Sequence, residues 1–118
     1  MRLVHMPCGT HYFEDYGYER YPYRPVLGEE ISVQLLVENA NEGVSATLFW
    51  EKDGVTMPKV RGKRVIRPDD DRLYFRFSLG SIHELCSVTY RFSVDDGNQC
   101  STSRDFVFEV LDETGLGS

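Results

Sequence analysis

From Ser87 to Leu111 the chain alternates polar and apolar positions on both sides of one acidic turn. Val88, Tyr90, Phe92 and Val94 interleave with Ser87, Thr89, Arg91 and Ser93, the period of two that a half-buried strand requires. Asp95-Asp96-Gly97-Asn98 interrupts the run, and an Asp-Gly pair tolerates the positive φ of a tight hairpin. The chain then returns through Phe106-Val107-Phe108-Glu109-Val110-Leu111. A turn centred on Asp96-Gly97 places Cys100 opposite Ser93 and leaves Cys86 several rungs away, out of reach of a disulfide.

The same period recurs upstream. Ile31, Val33, Leu35 and Val37 share one face, against Ser32, Gln34 and Glu38 on the other. After the turn cluster Asn39–Gly43, the inward set is Val44, Ala46, Leu48 and Trp50, which makes the single tryptophan a core anchor. Lys52-Asp53-Gly54 turns the chain again, and Pro58 confines the weak run from Val55 to Val60 to a sheet edge. Leu73, Phe75, Phe77 and Leu79 give the cleanest alternation, and Gly80–Leu85 has room for one helical turn. About six or seven strands with turn signals at short intervals predict an antiparallel β-sandwich, immunoglobulin-like or fibronectin III-like.

Residues 1–26 have a different character. Tyr12, Phe13, Tyr16, Tyr18, Tyr21 and Tyr23 crowd together, and Pro22 and Pro25 forbid a helix there. The stretch reads as an extended aromatic-rich segment packed on a sandwich spanning 27–111, with 112–118 as the start of a linker. Tyrosines with an apolar ring and a polar tip suit a half-buried surface. Tyr12, Tyr16, Tyr18, Tyr21 and Tyr23 are therefore the candidate contacts for a carbohydrate or a neighbouring domain.

At 118 residues the chain is long enough for one domain with a core of its own. A formal charge of −6 and a pI near 5.0 argue against nucleic acid as a partner. No apolar run approaches the roughly 20 residues of a spanning helix, so no membrane partner is expected. Met1–Pro7 lacks the apolar core of a secretory signal. Three cysteines without framework spacing read as reduced thiols, and the expected location is the cytoplasm. Lys59, Arg61, Lys63, Arg64 and Arg67, followed by Asp69-Asp70-Asp71, read as a solvated loop or a charged edge strand.

The one spacing with coordination chemistry is His-x-x-Cys. His5, Cys8 and His11 fall at three-residue intervals, and His83 and Cys86 repeat the pattern. Zinc would accept such nitrogen and thiolate donors only if the two groups met in space. Neither knuckle is complete, so no metal or other cofactor is expected. Asp69–Asp71 and Asp95–Asn98 lack the ligand spacing of a calcium loop. Nucleophile elbows and phosphate loops are also missing from the sequence, and no catalytic residue stands out.

Trp50, the hairpin Tyr90-Arg91-Phe92-Ser93-Val94-Asp95-Asp96-Gly97 and the closing strand Phe106–Val110 carry a resemblance, as does Pro22-Tyr23-Arg24-Pro25-Val26-Leu27-Gly28-Glu29 leading into Ile31. Over most of residues 20–111 the chain resembles the N-terminal immunoglobulin-like domain that precedes the catalytic barrel in α-amylase- and α-glucosidase-type glycoside hydrolases, such as neopullulanase and maltogenic amylase. The resemblance implies a non-catalytic accessory module. Its partners would be the catalytic domain of the parent chain and α-glucan, and it would pack on the barrel, shape its cleft or mediate dimers. The other reading is a stand-alone carbohydrate- or protein-binding sandwich.

Overall fold

The alternating runs become eleven strands among the described residues of a computed structural model, which are 1–5, 20–21, 25–41, 43–67 and 70–112. In chain order they are β1 (Arg2–Val4), β2 (Arg20–Tyr21), β3 (Glu30–Glu38), β4 (Ser45–Lys52), β5 (Val55–Thr56), β6 (Val60–Arg61), β7 (Lys63–Arg67), β8 (Asp70–Ser81), β9 (Cys86–Asp95), β10 (Cys100–Thr102) and β11 (Phe106–Val110). One sheet has the order β1-β3-β8-β7, with β2 also on β3. In the other, β9 lies between β4 and the β10/β11 leg, and β5 and β6 take the far edge of β4. No helix occurs among the described residues: of the stretch with room for a helical turn, Gly80 and Ser81 end strand β8 and 82–85 are irregular.

Burial follows the period of two. Ile31, Val33, Leu35 and Val37 of β3 meet Phe75, Phe77 and Leu79 of β8 and Val88, Tyr90, Phe92 and Val94 of β9 in one buried cluster. Phe77 and Phe92 join the two sheets, with ring centroids 5.2 Å apart. Beside them Gly62 carries the chain from β6 in one sheet to β7 in the other. Its N–H donates to the Ala46 carbonyl at 2.8 Å, and a Cβ there would lie 2.8 Å from the Phe77 ring. Only glycine fits so close an approach.

The terminal hairpin differs in register from the sequence expectation. Cys100 stands opposite Asp95 and not Ser93, because Asp96 organises a longer loop. Its carboxylate accepts the N–H groups of Asn98 (3.0 Å) and Gln99 (2.8 Å), while its own N–H donates to the Gln99 carbonyl. Gly97 takes the positive φ of 91°. Cys86 lies opposite Val110, nine positions along β9 from Asp95, or roughly 30 Å at strand rise. Both thiols are free.

The return leg then shifts by one residue. On β10, Ser101 faces Val94, whereas on β11 Phe106 faces Tyr90. Such a shift swaps the inward set of a strand from odd to even positions. It turns Phe106, Phe108 and Val110 into the core. Ser103 makes the break possible, its hydroxyl accepting the Phe92 N–H at 2.9 Å and donating to the Arg104 carbonyl at 2.8 Å.

Two features depart from a sandwich with wet outer faces. On the outer side of the first sheet, Gln34, Leu36 and Tyr74 are buried. At the free edge of β3, Val4 pairs with Leu36 and Arg20 with Val33.

Candidate functional site

The residues singled out for metal chemistry do not converge where they are described. His5 follows β1 in the inward register and is buried between the sheets. Its Nδ1–H donates to the Gln34 carbonyl at 2.7 Å, and its Nε2 accepts the Tyr90 hydroxyl at 2.7 Å. A carbonyl can only accept, which fixes this tautomer for the neutral ring. The edges and faces of Tyr90, Phe92 and Phe106 enclose the imidazole at centroid distances of 4.8 to 5.6 Å. Both ring nitrogens are thus engaged. Cys86 is four positions from Tyr90 on β9, roughly 13 Å away, and burial pushes its thiol pKa up. His83 is exposed. Among the described residues no cluster of three or more His, Cys, Asp or Glu could hold a metal ion. Cys8, His11, Tyr12, Tyr16, Tyr18 and Tyr23 lie outside the described residues, and Tyr21 is placed by its backbone alone, in β2 opposite Ser32.

Trp50 also departs from expectation. Its register is inward, opposite Tyr90, but it sits at the open end of the sandwich and is only half-buried. The indole N–H donates to the Pro58 carbonyl at 2.9 Å, so the β5–β6 connection closes over it where a second sheet would close over a core residue.

A hollow of about 120 Å³ is lined by Phe49, Trp50, Glu51, Thr56, Met57, Thr89, Tyr90 and Arg91; Phe49, Glu51, Thr89 and Arg91 alternate to the outer face of the second sheet, away from Trp50 and Tyr90. Strand pairing assembles it. Phe49 of β4 is opposite Arg91 of β9, and Glu51 is flanked by Thr89 on one side and Thr56 on the other. Phe49 is 36% exposed, with the Arg91 guanidinium 5.5 Å from its ring centroid. No ion pair or side-chain hydrogen bond among the described residues engages Glu51, Thr56 or Thr89. Val107, opposite Thr89 and 58% exposed, extends the face. A large apolar residue at a polar-face position, between Thr47 and Glu51, is the signal from which sequence reasoning could have found this site.

A family described as Lmo2446-like, N-terminal, matches residues 4–75. The chain belongs to that family. No curated protein matches it. The Lmo2446-like domain shares its fold with the uncharacterized protein lmo2446 from Listeria monocytogenes EGD-e, solved with α- and β-D-glucose, magnesium and calcium. The TM-score is 0.82 at 23% identity, over 93% of this chain and 10% of that one. The cycloalternan-forming enzyme from Listeria monocytogenes, solved with a pentasaccharide substrate, gives the same TM-score, identity and coverage. A cycloalternan-degrading enzyme from Trueperella pyogenes matches with a TM-score of 0.77 at 14% identity, over 91% of this chain and 17% of that one. The Lmo2446-like domain therefore spans a tenth to a sixth of the length of these structures.

Proposed function

We propose that this Lmo2446-like domain is the non-catalytic N-terminal module of a larger glycoside hydrolase, packing on its catalytic domain and assisting it in binding α-glucan or in dimerising. One observation carries the reading: nearly the whole chain corresponds to a small share of two carbohydrate-active enzymes, under a family described as N-terminal. The chemistry of the described residues agrees with it. The buried His5–Tyr90 pair serves packing, both imidazole nitrogens being used within the fold. The tyrosines Tyr12, Tyr16, Tyr18, Tyr21 and Tyr23 are proposed as contacts to the catalytic domain or to glucan. A stand-alone carbohydrate-binding sandwich is the second reading, and the open face around Phe49 is the feature in its favour.

The coding sequence beyond Ser118 provides the test. Continuation into a catalytic domain of barrel length is expected, and a stop codon there would overturn the accessory role. A second measurement compares that full-length enzyme with one lacking residues 1–112. The truncated form should lose activity on long α-glucans or change its oligomeric state, and an enzyme indifferent to the deletion would refute the proposal.

A further inference from the structure

We infer that the hollow beside Phe49 binds a single glucosyl unit of a neutral α-glucan chain. The choice of glucan rests on the accessory reading above; the place and the class of ligand rest on the geometry. A pyranose ring presents two C–H faces and a rim of hydroxyls, each able both to donate and to accept. Its complement is an exposed aromatic surface surrounded by donors and acceptors of both kinds. The hollow supplies that set: Phe49 as the apolar surface, Arg91 as a donor, Glu51 as an acceptor, and the Thr56 and Thr89 hydroxyls as either. Among the described residues Glu51, Thr56 and Thr89 have no side-chain hydrogen bond or ion pair and Arg91 meets only the Phe49 ring, whereas both imidazole nitrogens of His5 are used.

Charge narrows the ligand further. One carboxylate and one guanidinium line the site, so their charges cancel and favour neither an anion nor a cation. A phosphate would want the guanidinium without Glu51, and a metal ion would want more than one carboxylate. Size narrows it again. The hollow of about 120 Å³ is smaller than the roughly 300–1,000 Å³ of drug-sized sites. It has room for one ring, and neighbouring units would lie along the open sheet face toward Val107. Such a site binds weakly and assists a catalytic domain by raising local substrate concentration.

Titrating the full chain with maltopentaose should give saturable NMR amide shifts in the millimolar range, confined to Phe49–Glu51, Thr56 and Thr89–Arg91. Phe49→Ala and Arg91→Ala should each weaken binding by about tenfold while the thermal melt stays that of the parent. Absence of any saturable change, or unaltered affinity in both variants, would overturn the site. The two proposals fail separately. A chain that ends at Ser118 yet binds maltopentaose through Phe49 removes the accessory role and keeps the site. A barrel-bearing chain whose hollow is silent does the reverse.

Discussion

Two aromatic groupings meet back to back on β9. On the inner face, Tyr90 and Phe92 enclose His5 with Phe106; on the outer face, the next residue, Arg91, lies over Phe49. They use similar side chains and differ in what is left over. Inside, each polar atom of the imidazole has a partner at 2.7 Å, as burial demands. Outside, a carboxylate, a guanidinium and two hydroxyls surround a half-exposed ring without bonding to one another. A satisfied network holds a fold together, and an unsatisfied one at the surface is available to a ligand.

The sharpest way to break this comparison is to truncate one ring from each side. Phe92→Ala removes a fully buried side chain at the sheet-to-sheet contact with Phe77 and should cost about 3–5 kcal/mol. Phe49→Ala removes one whose ring is partly in water and should cost within about 0.5 kcal/mol. Urea unfolding of the two variants measures both. Similar losses would mean that Phe49 belongs to the packing, and the division into structural and binding faces would collapse.

His5→Ala probes the inner grouping alone. It removes the hydrogen bonds to the Tyr90 hydroxyl and the Gln34 carbonyl and leaves a cavity among three rings, for an expected loss of about 2–4 kcal/mol. His5→Phe should recover part of this through packing without restoring either hydrogen bond. If His5→Ala melts with the parent protein, the N-terminal strand is not held by this contact.

Sequence reasoning found the two-sheet architecture, because period-two alternation survives in Ile31–Val37, Leu73–Leu79 and Val88–Val94 whatever their neighbours do. It lost what depends on single side chains acting at a distance. The hairpin register failed because Asp96 closes a longer loop with its carboxylate, and nothing in Asp-Gly announces that choice. Ser103 is equally invisible: a hydroxyl that accepts the Phe92 N–H looks like any loop serine. For Trp50 alternation gives the direction and not the depth, since it reports facing and not how near a residue lies to the end of a sheet. The hollow was the hardest to see, because Phe49, Arg91 and Thr89 become neighbours only through the β4–β9 register.

Ser103→Ala tests one of those hidden roles. It removes the acceptor for the Phe92 N–H at the point where the strand changes its inward set, and about 1 kcal/mol should be lost. Hydrogen exchange at the Phe92 amide should quicken more than at Val88, far from the break. Equal protection at both sites would show that another group takes over.

The smallest effect belongs to Asp96, and its sign is set by pH. The Asn98 N–H, then the Gln99 N–H, hold its carboxyl below the ordinary carboxylate range, against an opposing contribution from burial, with a further hydrogen bond from the Asn41 N–H. A group whose pKa is lowered by folding stabilises the native state above its unfolded value, near 3.9. That contribution disappears as the pH falls through the lower folded value. Asp96→Asn keeps an acceptor for the turn but no longer titrates. The parent should therefore lose stability below about pH 4 more steeply than the variant, with the two curves converging on acidification. Parallel curves across the acid range would show that the loop holds its register through the backbone alone, without help from the charge on Asp96.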